Sequence, residues 1–313
     1  MKKLTRVIGA IAFALPFAAS AGTVPIMFDA DGTSSAYGAQ SIDVLQWQVG
    51  NALSVGGGNL STGARTQLLY QANLNTTGLG GGTQTVSCKF KAYCLTAVAG
   101  FQEVATVSAD GKTATFTLAS PNALSSTNFF YIYAKPMTGI TPNQGDNLAG
   151  TGFATGQVIF SGHISSIISS SFVATGAVDR YDQYGTDNYG GLKTVVGGGL
   201  TNLNVAIDSS SNDFFPGLSL DTLLFSFFNT STLTPFTQVD PSHKFSSNGM
   251  ADGDVTPVLG AINGFAGAGA QDFQFQAYAN QSFVNKTVPE PGTIFLMALA
   301  LVGLGISSRR RIR

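Results

Sequence analysis

Histidine, cysteine and glutamate are nearly missing from this chain, and each scarcity closes a branch of chemistry. The only histidines are His163, in FSGHISS, and His243, in DPSHKF; neither lies near the two cysteines of CKFKAYC, Cys88 and Cys94, in sequence. Zinc takes four close thiolate, imidazole or carboxylate ligands, so the pattern argues against such a site. No GxSxG elbow occurs, and once the cysteines pair no free thiol is left for acyl transfer. Glycoside hydrolysis needs two carboxyls at a set separation. Between residues 22 and 288 the single glutamate is Glu103 and every other acid is an aspartate, so no such pair stands out. Both histidines therefore read as structural, and the body is expected not to be an enzyme.

Positive charge is also scarce where it would count. Of 16 Lys and Arg, three lie in the first six residues and four in the last five, which leaves 9 bases against 16 acids in residues 22–288, a net charge of −7. A nucleic-acid binder needs the opposite sign. Glycine is abundant, at 38 residues, yet none of its clusters carries the lysine of a phosphate loop, and Gly150-Thr-Gly-Phe-Ala-Thr-Gly156 has the wrong spacing for a dinucleotide fingerprint. Gly56–Gly58, Gly78–Gly82, Gly197–Gly199 and Gly260–Gly269 are therefore read as surface loops. No repeat of 20 to 50 residues is evident.

What is present begins with the termini. Lys2, Lys3 and Arg6 precede an apolar run from Val7 to Phe17, and Ala19-Ser20-Ala21 is the small-x-small pattern that signal peptidase accepts. Residues 1–21 are expected to be a signal peptide cleaved after Ala21, since the run is short for a permanent anchor and Pro16 would disturb its helix. Export to an oxidising compartment makes Cys88 and Cys94 a disulfide, closing a small loop worth about 2–3 kcal/mol.

The body, residues 22–287, reads as all-β: one Gly-rich β-sandwich or jelly-roll-like domain. In Lys112-Thr-Ala-Thr-Phe-Thr-Leu118 apolar residues alternate with threonine behind Asp110-Gly111, the dipeptide of a type I′ turn, so Phe101–Leu118 is expected to be a hairpin. Phe129–Ala134, Val158–Phe160, Leu220–Phe228 and Asp272–Tyr278 are further strand candidates. Ser41–Leu53 alone invites a helix, and its β-branched residues and Gly50 leave strand as an equal alternative. The aspartate excess suits the turns of such a fold.

The chemically richest stretch is Asp179-Arg-Tyr-Asp-Gln-Tyr-Gly-Thr-Asp-Asn-Tyr189. Asp179, Asp182, Asp187 and Asn188 offer the oxygens that Ca²⁺ takes, while Tyr181, Tyr184 and Tyr189 could stack on sugar rings. An ordinary turn with packed tyrosines is the simpler reading of the stretch and is preferred. Asp29-Ala-Asp31-Gly32 and Asp252-Gly-Asp254 look like calcium-loop fragments but lack the glutamate of an EF-hand loop.

The tail has three parts. Pro289 and Pro291 push Val288 and Glu290 toward extended conformations. Residues 292–308 form an apolar run of about 25 Å as a helix, marginal against a hydrocarbon core of about 30 Å. Arg309, Arg310, Arg311 and Arg313 then hold the C-terminus in the cytoplasm. Val288-Pro-Glu-Pro291, the apolar helix and Arg309–Arg311 together resemble the PEP-CTERM sorting signal of Gram-negative bacteria that make extracellular polysaccharide. The resemblance covers residues 288–313. It implies transient anchoring in the inner membrane with the body in the periplasm, removal of the tail by an exosortase, and passage to the cell surface or matrix. The competing reading is a permanent single-span anchor.

In the body, Phe28–Gly32, Ser41–Trp47, Asn147–Phe153 and Asp182–Tyr189 are similar to segments of the flocculation-associated PEP-CTERM proteins. This second resemblance implies a protein that holds cells together in polysaccharide flocs or biofilm, with the exopolysaccharide matrix as partner. No cofactor is expected, calcium at the 179–189 stretch being the one candidate. A calcium-dependent carbohydrate-binding module and an exported polysaccharide-acting enzyme are the alternatives.

Overall fold

The structure, a computed structural model, describes residues 23–33, 38–48, 50–57, 60–85, 88, 92–119, 123–137, 144–146, 151–178, 194–219, 223–232, 261–262, 265–266 and 273–285. These residues belong to a compact unit, Thr23–Val288. The signal-peptide and tail readings, the 179–189 stretch, His243 and the Asp252–Asp254 fragment lie outside the described residues.

Strands account for most of the described residues, which contain no α-helix. In chain order they are β1 Ile26–Phe28, β2 Gln40–Ile42, β3 Val44–Trp47, β4 Gly50–Val55, β5 Arg65–Leu79, β6 Gly82–Thr85, β7 Tyr93–Val107 and β8 Thr113–Leu118. There follow β9 Phe129–Pro136, β10 Gln157–Val178, β11 Thr194–Ser210, β12 Leu223–Thr232, β13 Ala261–Ile262, β14 Phe265–Ala266 and β15 Phe273–Asn285. The Ser41–Leu53 stretch is strand, divided among β2, β3 and β4, so the helical alternative fails. Its Ile42, Leu45, Trp47 and Leu53 are buried in pairings with strands distant in sequence, which outweighs local propensity.

All pairings are antiparallel, and the main sheet returns on itself. The circuit runs β5, β7, β9, β10, β11, β12, β15, β4 and back to β5. Neighbours around it follow chain order, and the sheet encloses one core in a sandwich-like arrangement. The long strands change partner along their length. Strand β7 pairs with β9 over Tyr93–Gly100 and with β8 over Glu103–Val107, and β10 likewise pairs with β9 near its start and with β8 at Ser171–Val173.

Closing the sheet around side chains demands alternating sizes across neighbouring strands. One inward row reads Ala52, Tyr70, Ala99, Phe130, Gly162 across β4, β5, β7, β9 and β10. A Cβ on Gly162 would lie 2.5 Å from the Ala206 carbonyl oxygen, so only glycine fits there. A chain of ring contacts, Phe28 to Phe215, Phe215 to Phe160 and Phe160 to Phe130, with centroids 5.3 to 5.9 Å apart, packs β1 and the segment after β11 onto this core. Each such buried ring contributes about 1.5–3 kcal/mol through removal from water.

The expected hairpin is present as the β7–β8 pair, but its loop is longer than a two-residue turn. Residues 108–112 connect the strands, Ser108 N–H donates to Thr113 O at 2.8 Å, and Gly111 has φ 70°. The two-residue geometry occurs instead at Gly80-Gly81, both with positive φ (57° and 87°), between Leu79 and Gly82, which face each other in β5 and β6. Gly197–Gly199, expected in a loop, lies within β11 opposite Phe172–Ala174 and Gly197–Gly199's other neighbours Thr230–Thr232. Its backbone is paired on both sides, which no local signal reveals.

Candidate functional site

Cys88 and Cys94 form the expected disulfide, with Cα atoms 4.6 Å apart. Cys94 is buried near the start of β7, so the bridge ties the preceding segment to the sheet. A cavity of about 10 Å³ between the disulfide, Asn73, Tyr93 and Gln144 has room for about one water.

The Asp29–Gly32 fragment is a folded turn. Asp29 is fully buried, and its carboxylate accepts bonds from Asp31 N–H (2.9 Å), Thr33 N–H (3.2 Å) and the Thr33 hydroxyl (2.9 Å). Asp31 accepts a bond from Ala92 N–H at 3.1 Å. The short aspartate side chain satisfies backbone donors in the way Asx turns do. Among the described residues no group of three or more His, Cys, Asp or Glu is arranged to hold a metal. Asp179, Asp182, Asp187 and Asn188 lie outside those residues.

The most distinctive surface is the outer face of β9. Residues alternate along a strand, so Phe130, Ile132 and Ala134 enter the core while Phe129, Tyr131 and Tyr133 face outward and are partly exposed. The Phe129 and Tyr131 ring centroids are 5.7 Å apart with planes 23° apart, and Tyr131 and Tyr133 follow at 6.0 Å and 57°. Opposite Phe129 stands Gly100 of β7, where an added Cβ would come within 2.6 Å of the Phe129 ring. The missing side chain lets that ring rest against the sheet. Burial, and secondarily the neighbouring Tyr131, holds the Tyr133 phenol above its ordinary pKa, so it remains an O–H donor at neutral pH.

These rings line an open groove of about 310 Å³, floored by Val98 and bounded by Leu124, Ser125, Ser126 and Ala154. Both walls are fastened. The buried Asn128 amide donates to Ile164 O at 2.9 Å and accepts from Ile164 N–H at 2.8 Å, fixing the 124–128 turn onto β10. Ser125 and Asn128 also form a backbone bridge. On the other side Phe153 is buried, its carbonyl accepts the Thr96 hydroxyl at 2.6 Å, and the Asn73 side chain bonds both N–H and C=O of Gly145 (2.8 and 2.9 Å).

Beside the rings, β10 and β11 carry paired polar side chains. Ser161, directly opposite Tyr131, bonds Ser209 at 2.6 Å, and His163 Nδ1 meets the Asp208 carboxylate at 2.8 Å. Farther along, Asn204 donates to Ser166 (3.0 Å) and Asn202 to Ser169 (2.9 Å). His163 thus has a partner 45 residues away that sequence reading did not supply.

Glu103 is buried on the inward side of β7, 5% exposed, with the Thr66 hydroxyl donating to it at 3.2 Å. Burial raises its pKa to about 7 against the lesser, lowering effect of that hydrogen bond. It sits away from the groove, on the opposite face of the sheet from Tyr131.

Sequence reading identified Phe129–Ala134 as a strand but looked for sugar-stacking tyrosines at 181–189. The alternation of FFYIYA was the available signal that three rings share a face.

Comparison with family models finds a match at residues 287–311 to the PEP-CTERM protein-sorting motif. That span contains Val288, Pro289, Glu290, Pro291 and Arg309–Arg311. The motif marks an exported protein that is transiently anchored in the membrane, processed by an exosortase and delivered to the cell surface. Neither the curated proteins nor the solved structures yield a match to the chain.

Proposed function

We propose that the mature body is a non-enzymatic surface protein that associates with exopolysaccharide and promotes flocculation or biofilm formation. The observation that carries this reading is the sorting motif at 287–311 joined to a sheet whose outer surface offers rings, hydroxyls and amides. The motif sends the body to a surface, and such side chains suit hydroxylated polymers better than charged ones. Signal peptidase acts at Ala21, the body passes through the periplasm on the membrane anchor, and the exosortase releases it into the matrix. The reading requires no catalytic residue and no cofactor.

Deleting the gene and restoring it on a plasmid tests the proposal. The deletion strain is expected to settle more slowly and to shed more polysaccharide into the medium, and complementation to reverse both. Unchanged settling and unchanged polysaccharide retention would overturn it.

A further inference from the structure

We infer that the outer groove on β9 is a binding site for a neutral polysaccharide chain, with Phe129, Tyr131 and Tyr133 as its stacking platform. This rests on the polysaccharide association proposed above and names the site that performs it.

The occupant follows from the chemistry of the groove. The rings at alternate positions extend about 13 Å along the strand, longer than one sugar unit and open at the surface, so the site suits a polymer in passing rather than an enclosed small molecule. A pyranose ring has an apolar C–H face and a rim of hydroxyls. Aromatic faces match the first, and the tyrosine phenols with Ser125 and Ser126 match the second.

Other occupants fit less well. A peptide added as an extra strand needs a free sheet edge, but β9 is paired to β7 on one side and β10 on the other. Among the described residues none lining the groove is charged, and residues 22–288 carry a net charge of −7, which disfavours an anionic chain. The Asn128 clamp and the Phe153 anchor hold both walls in place before binding, so little ordering is lost when a ligand arrives. The paired Ser161–Ser209 and His163–Asp208 side chains on the next strands offer further polar contacts to a chain lying across the sheet.

The test is co-sedimentation of the processed protein, recovered from the surface of producing cells, with three probes: cellulose as a neutral glucan, the cells' own polysaccharide, and alginate as an anionic one. The wild type is expected to pellet with cellulose. Tyr131→Ala combined with Tyr133→Ala should weaken that binding at least about tenfold, as should Ser126→Asp, which places a charge on an exposed wall residue. Tyr131→Phe, which keeps the ring, should retain most of it. Near-ultraviolet circular dichroism confirms that each variant is folded, and Ser126→Asp leaves the aromatic packing intact if the double variant is not. Wild-type binding that all variants share would overturn the site while leaving the broader association standing. Wild type that binds none of the probes would remove both. Binding to alginate alone, or a concentration-dependent dimer abolished by the tyrosine changes, would overturn the assignment of a neutral glycan.

Discussion

At the scale of single residues, Glu103 and Asn128 act on the stability of the fold. Glu103 is the instructive case. With a pKa of about 7 when folded and 4.5 as the unfolded reference, the folded state holds a proton that the unfolded chain has released between those values. Its penalty on stability is absent below about pH 4.5, grows as pH rises through the window and is complete above pH 7, at on the order of 3 kcal/mol. Glu103→Gln is expected to flatten this dependence and to stabilise the protein at pH 8 more than at pH 5; urea denaturation at both pH values measures it, and parallel slopes in variant and wild type would refute the assignment. Asn128 works in the opposite sense, since its amide satisfies both backbone groups of buried Ile164. Asn128→Ala leaves those groups unpaired and should cost about 2 kcal/mol, read as a lower denaturation midpoint at unchanged m-value.

At the scale of elements, stability depends on size matching between strands. Ala99 stands between Tyr70 and Phe130 in the inward row and is 1% exposed. Ala99→Leu adds volume where both neighbours are already large and is expected to destabilise by about 1–3 kcal/mol in thermal unfolding, whereas Ala109→Leu in the exposed β7–β8 loop should be nearly neutral. This matching also explains what was legible beforehand. The β7–β8 hairpin was readable because alternating Ala114, Phe116 and Leu118 and the preceding Asp110-Gly111 turn are local patterns. Strand β10 was recognised only at Val158–Phe160, since its later run of serines and glycines lacks an apolar alternation although it pairs with β11 as far as Val178. The outward set of Phe129, Tyr131 and Tyr133 was available from period two but was not drawn from the sequence, which supplied the strand alone. The groove was not available there, because its floor, its Gly100 contact and its clamp to Ile164 come from strands about 30 residues before or after β9 in the chain.

At the scale of the whole molecule, the destination is written in a contiguous address and the working surface is assembled from distant strands, so the two differ in how far sequence reveals them. The motif at 287–311 needs only its own order of prolines, apolar run and arginines, and it was recognised without a fold. From the sequence its parts are expected to act separately: the prolines to keep Val288 and Glu290 extended where a membrane-embedded protease can reach them, the apolar run to hold that segment at the boundary, and the arginines to fix the orientation. Replacing Pro289 and Pro291 by alanine removes the barrier to helix and should let the apolar helix continue back through the cleavage region. Mass spectrometry of the wild-type surface protein is expected to find a C-terminus lacking Arg309–Arg313, and the double alanine variant to remain in the membrane fraction with those arginines attached. Equal processing of the two forms would show that extended backbone at the motif is dispensable, and a wild-type surface form that retains the arginines would overturn removal of the tail itself.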